Sequence, residues 1–162
     1  ATIGIVAFVV MTALGAHVRI PLPFTPVPIT LQTFFVHLAG ATLGPALGPL
    51  SQAAYLLVGV AGLPVFAGGG SGLAYLLQGA TVGCLIRRRE DPGLLWILGS
   101  MAAGSLVVYV CGVSWLAWSL NLSPATALAK GMLPFLAGDV VKTCAAAGLF
   151  RSYRRRARNV FP

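Results

Sequence analysis

LLWILGSMAAGSLVVYVCGVSWLAWSL, Leu94 to Leu120, runs on without a single charged residue. At a helical rise of ~1.5 Å per residue it reaches roughly 40 Å, more than the ~30 Å hydrocarbon core of a bilayer. The stretch therefore reads as a membrane-spanning helix with length to spare, and the composition around it agrees. Of the 162 residues, 57% are hydrophobic and 9% charged, whereas a soluble domain carries about 25% charged residues. No water-soluble surface can be built from so few charges. The chain is expected to be an all-α, polytopic membrane protein, folded as one transmembrane domain over residues 1–162.

On either side of that run the apolar segments and their breakers predict six spans. These cover about 1–16, 31–43, 50–63, 71–86, 94–120 and 134–150, with a short interfacial helix at 125–131. Between the first two, Pro21, Pro23, Pro26 and Pro28 remove backbone donors and exclude a helix. That stretch is expected to be a rigid, proline-rich outer lid loop carrying Phe24 as an apolar plug. Gly44-Pro45 and Gly48-Pro49 mark the turn between the second and third spans, both short for a crossing. Pro134 is placed in the first turn of the sixth. Cys84, Cys111 and Cys144 match no metal-binding spacing and are read as small buried residues.

The net charge of +8 raises the question of nucleic acid, and its placement answers it. Arg87, Arg88 and Arg89 follow the fourth span; Arg151, Arg154, Arg155, Arg156 and Arg158 follow the sixth. This is the positive-inside pattern of cations facing cytoplasm and anionic lipid. With an even number of spans it puts both termini in the cytoplasm, and the expected location is the cytoplasmic membrane.

Within this apolar chain, Asp139 is the one acid set among apolar neighbours. Glu90 and Asp91 lie beside the arginines of a polar loop. Lys142 follows Asp139 at a spacing of three and so shares its helix face. Charges inside a membrane segment are costly and either pair structurally or line a pathway or pocket. Both readings stand on these residues. Asp139 lies twelve positions before Arg151, hence about 18 Å from the cytoplasmic boundary, near mid-membrane. Gln32, at the start of the second span, either lines a pocket or sits at the interface. The run Gly68-Gly69-Gly70-Ser71-Gly72 is either a nest of backbone donors suited to a carboxylate or a tight turn. Tyr75, Trp115, Phe66 and Phe135 either wall an apolar ligand or simply pack. His17 and His37 stand alone and are read as interfacial or packing residues. No catalytic triad, zinc motif or phosphate loop is present, so no catalytic residue, metal site or cofactor is expected.

PVPITLQTFF (Pro26 to Phe35), LAGATLGPALGPLSQ (Leu38 to Gln52), GLPVFAGGG (Gly62 to Gly70) and LPFLAGDVVK (Leu133 to Lys142) strongly resemble the BioY family. These are the biotin-binding S components of energy-coupling-factor vitamin transporters, and the resemblance covers nearly the whole chain in order. It implies a six-helix S component with a lid loop between helices one and two, and biotin as transported ligand. The implied partners are membrane lipid, a transmembrane energising protein and two ATPases, with homo-oligomers left open. By this likeness Asp139 and Lys142 match the acidic and basic residues that address the ureido ring, with Gln32, Gly70, Ser71, Tyr75 and Trp115 as further substrate-binding candidates. The family's GPTGGYL-like run is compressed here to GGGSGLAYLLQGATVGCLIRRR. Either Gly79 to Gly83 is a degenerate copy, or Ala74-Tyr75-Leu76 answers to GYL. The family's A-x-x-x-A docking pattern is also not met, since Ala7 is followed four later by Met11. The alternatives are an S component for another small vitamin and a membrane scaffold with a structural Asp139–Lys142 pair.

Overall fold

The computed structural model describes residues 1–66 and 72–161. In chain order these form α1 (Thr2–His17), β1 (Arg19–Ile20), β2 (Ile29–Thr30), α2 (Gln32–Val60), α3 (Leu73–Arg87), α4 (Leu94–Ser119), α5 (Pro124–Gly131) and α6 (Leu136–Val160). By length and composition α2 and α4 are each sufficient to cross a membrane, the bent pair α5–α6 counts as a third, and α1 and α3 are shorter apolar helices.

The run labelled α2 is two helices. Gly44 has φ +83° and ψ −171°, a conformation open almost only to glycine, and the chain doubles back there. Two contacts demonstrate the reversal. A Cβ built on Gly48 would lie 3.0 Å from the Cα of Gly40, whereas eight residues of straight helix span about 12 Å. Gln32 and Tyr55 are hydrogen-bonded at 2.8 Å, across a stretch that would measure roughly 35 Å if straight. The second and third predicted spans are thus limbs 32–43 and 45–60. The reversal needs one residue rather than the stretch from Gly44 to Pro49, and Pro45 opens the second limb where its missing N–H is harmless.

With that hairpin counted and the bent pair α5–α6 taken as one, six helical segments among the described residues alternate in direction. Gly4 meets Leu43 at one end of α1 and Gly15 meets Leu31 and Phe35 at the other. Gly83, near the end of α3, lies against Gly44. α6 returns to the loop before α4, where Arg154 Nε donates to Asp91 Oδ1 at 2.8 Å. The Arg154 guanidinium holds the Asp91 carboxyl below its ordinary range. Arg158 donates to the carbonyls of Ile86 and Arg89, and Arg89 stacks over Trp96. Both arginine groups therefore occupy one end of the bundle, with Asp91 between them.

Glycine sets the helix spacing. α2 packs most extensively on α3, and a Cβ on Gly40 would come within 2.6 Å of the Gly79 carbonyl oxygen. Small residues allow such backbone approach where lipid supplies no hydrophobic drive. The core gathers Phe8, Leu38, Leu43, Ile86, Met101 and Phe150. Ile3, Val6, Val10 and Leu14 on α1 and Leu95, Leu106 and Val110 on α4 are exposed, an apolar outer surface of the kind a membrane protein carries.

Several expectations change. α6 runs on to Val160, because its arginine-rich end stays helical beyond the apolar part. Pro134 lies in the turns before α6, since the bend between α5 and α6 takes up that stretch. Cys84 and Cys144 are exposed and Cys111 is half-buried, since a thiol faces lipid as readily as core. The proline stretch forms a hairpin in which Arg19 pairs with Thr30 and Ile20 with Ile29. Its tip turns Thr25 inward and leaves Phe24 54% exposed, so Phe24 is not a plug.

Candidate functional site

At the end of the bundle away from the arginines, α3, α4, α6, the α2 limbs and the β1–β2 hairpin line a cavity. Its lining includes Pro28, Gln32, Tyr75, Tyr109, Trp115, Phe135, Asp139 and Lys142. The space open to the centres of water molecules is about 160 Å³.

Asp139 stands in the first turn of α6, where the partial positive charge of a helix start favours a carboxylate. Its Oδ1 pairs with Lys142 Nζ, and the two side chains are only 14% and 11% exposed. Tyr109, reaching across from α4, donates its hydroxyl to Asp139 Oδ2. Lys142 Nζ also donates to the Thr30 carbonyl at 3.0 Å. The hairpin is thereby tied to the acid–base pair through β2.

A second polar group gathers on buried Gln32. Its Nε2 donates to Tyr55 Oη at 2.8 Å, and its Oε1 accepts from Thr30 Oγ1 at 3.2 Å and Tyr75 Oη at 3.4 Å. The Tyr55 hydroxyl in turn donates to the Val65 carbonyl at 2.8 Å. Gln32 thus stands in the cavity wall, at the junction of hairpin, hairpin limbs and α3. Tyr75 belongs to the same group. Trp115, Phe66 and Phe135 supply apolar wall.

His37 is buried outside that lining, bonded to Ser105 Oγ at 3.1 Å and Gln78 Nε2 at 3.1 Å, a packing histidine with partners. His17 caps its own helix through the Ala13 carbonyl at 2.8 Å. Five predicted site residues, Asp139, Lys142, Gln32, Tyr75 and Trp115, line one cavity. Gly70 and Ser71, with the glycine run before them, lie outside the described residues.

Sequence reasoning missed Tyr109, Tyr55 and Thr30. For the tyrosines a signal existed, since a phenol in an apolar helix needs a partner for its hydroxyl. Thr30 contributes to Lys142 through its backbone carbonyl, which no side chain announces.

The site offers an acceptor-only carboxylate, an ammonium donor and aromatic walls in a small, partly open space. That combination suits a compact, largely apolar molecule with an N–H donor beside a carbonyl acceptor.

Comparison with known proteins is consistent with this geometry. A model described as the BioY family matches residues 1–159. The chain is 40% identical over 148 residues to the probable biotin transporter BioY of Pyrococcus horikoshii, covering 86% of each. It is 35% identical over 152 residues to the biotin transporter BioY of Thermotoga maritima, covering 86% of this chain and 87% of that one. Among solved structures it resembles the S-component for biotin from an ECF-type ABC transporter. That match has a TM-score of 0.79 and 27% identity, and covers 95% of this chain and 92% of that one.

Proposed function

The chain belongs to the BioY family, and on that premise we propose that it captures biotin and carries it across the cytoplasmic membrane as the substrate-binding component of an ECF-type transporter. The observation that carries the reading is the Asp139–Lys142 pair, nearly buried yet lining a cavity. A cyclic urea presents two N–H donors and one carbonyl acceptor. The carboxylate takes one N–H and the ammonium the carbonyl beside it, each as a charge-assisted hydrogen bond. Aromatic walls at Trp115, Tyr75 and Phe66 cover the apolar remainder. Gln32 holds Tyr55, Tyr75 and Thr30 in one cluster at the cavity wall.

The chain is a transporter subunit and not an enzyme. Energy for uptake comes from partners: a transmembrane energising protein and two ATPases, since no nucleotide-binding motif occurs in this sequence. The arginine-rich end faces the cytoplasm, both termini with it, and the cavity opens outward beneath the β1–β2 hairpin, which serves as the lid. Residues 1–162 act as one binding domain.

Binding of radiolabelled biotin to the purified chain in detergent tests the reading. Retention of biotin, competed by unlabelled biotin and lost in Asp139→Asn, is the expected outcome. A monodisperse chain that retains none overturns it.

A further inference from the structure

The hydroxyl of Tyr109 sits in an apolar stretch of α4, between Val108 and Val110, and is committed to one partner, Asp139 Oδ2. Lys142 holds the other oxygen, Oδ1. The two oxygens of one carboxylate are therefore gripped from two helices, α4 and α6. A carboxylate held at one oxygen can rotate about its terminal torsion, which is broad and shallow; one held at both cannot. About four acceptor directions exist on an ionised carboxylate. Two are taken, and the remaining two are fixed in direction before any ligand arrives.

We infer that Tyr109 is the positioning residue of this site: by holding Asp139 Oδ2 it points the free lone pairs of the carboxylate at one ureido N–H, next to the carbonyl that Lys142 meets, and so sets the preference for a ring unsubstituted at that nitrogen. The inference rests on the biotin reading above and goes beyond it, because it assigns selectivity to a residue that acts through Asp139. Loss of the phenol hydroxyl leaves the charge pair in place but lets the carboxylate turn. Affinity then falls, and discrimination falls with it, since a carboxylate free to turn swings clear of an N-methyl group that a fixed one meets head-on.

The test compares biotin with a derivative methylated on one ureido nitrogen, binding to the parent chain and to Tyr109→Phe. Tyr109→Phe is expected to weaken biotin binding by about tenfold or more and to shrink the ratio between the two ligands. In the Tyr109→Phe background, Asp139→Asn should cost less than it does in the parent, the non-additivity of two residues acting through one contact. Asp139→Glu, which keeps the charge but moves the carboxylate off the phenol, should lose the same discrimination; it answers the question even where Tyr109→Phe does not fold. Equal losses for both ligands, additive effects with Asp139→Asn, or unchanged discrimination in Asp139→Glu would each overturn the inference while biotin binding by the parent stands. A parent chain that binds no biotin overturns the functional reading itself, and this inference with it.

Discussion

Gln32 and Tyr55 belong to one helical run, 23 positions apart, and share a hydrogen bond of 2.8 Å. The reversal at Gly44 makes this contact, and with it one wall of the cavity. Both limb ends that carry the polar cluster lie level with the start of α6, where Asp139 and Lys142 stand. A single backbone conformation at the far end of the bundle thus determines which side chains meet at the site.

Gly44→Ala tests that dependence. A Cβ at φ +83° is strained, and here it would also lie 3.0 Å from Arg87 Nε. The expected loss is about 1–3 kcal/mol of stability, seen as a lowered unfolding temperature in detergent. Gly62→Ala is the comparison: φ is +96° but nothing lies within 4 Å, so only backbone strain remains. The alanine at 44 should be the more damaging of the two. The reverse order would remove Gly44 from its place as the pivot.

The Asp139–Lys142 pair separates binding from packing. A hydrogen bond to a charged group contributes about 1.5–3 kcal/mol, and stranding its partner raises the loss to roughly 3–5 kcal/mol. Asp139→Asn and Lys142→Met should each weaken biotin binding by at least about tenfold, and up to about a thousandfold, at ~1.4 kcal/mol per decade. The double variant Asp139→Leu, Lys142→Met decides. Folded and unable to bind biotin, it supports a ligand role; folded and binding like the parent, it leaves the pair a packing device.

The legible part of this site was electrostatic. Asp139 and Lys142 stand out because nothing near them in sequence is polar, and the cavity does form around them. Gln32, Tyr75 and Trp115 were visible only as alternatives between pocket and packing; tertiary structure brought them to the same cavity. Tyr109 could not be linked to Asp139 from sequence, because thirty positions and a separate helix lie between them. Phe24 was misjudged because hydrophobicity does not say which side of a short ribbon faces in. The cysteines were misjudged because a lipid-facing surface accepts the same residues as a core. Helix α6 was cut short at its first arginine, where the apolar pattern ends but helix propensity does not.

Ligand binding should order the hairpin. Lys142 donates to the Thr30 carbonyl, so a ligand that engages Lys142 acts directly on β2. Amide exchange at Thr25 and Val27 is expected to slow when biotin is added. Val27 is a sensitive probe because its N–H already bonds Thr25 Oγ1 at 3.3 Å within the tip. Identical exchange with and without biotin would argue against a lid.

The orientation proposed above rests on the arginines. In a chain freed of Cys84, Cys111 and Cys144, a cysteine at Arg88 should resist an impermeant thiol reagent in intact cells, while one at Asn121, between α4 and α5, should react. The opposite labelling would invert the bundle in the membrane.

The glycine reversal also bears on the lipid around the protein. Limb 32–43 rises only about 18 Å and limb 45–60 about 24 Å. α1 and α3, at 16 and 15 residues, reach roughly 24 and 22 Å, while α4 at 26 residues reaches about 39 Å. The short segments thus fall below a ~30 Å hydrocarbon layer and α4 exceeds it, and each ångström of mismatch costs a fraction of a kcal/mol. Since α3 packs directly on α4, short and long helices stand side by side, and a lean of α4 brings its span toward theirs. Acyl-chain length therefore acts on this protein unevenly, relieving α4 as it strains the shorter helices.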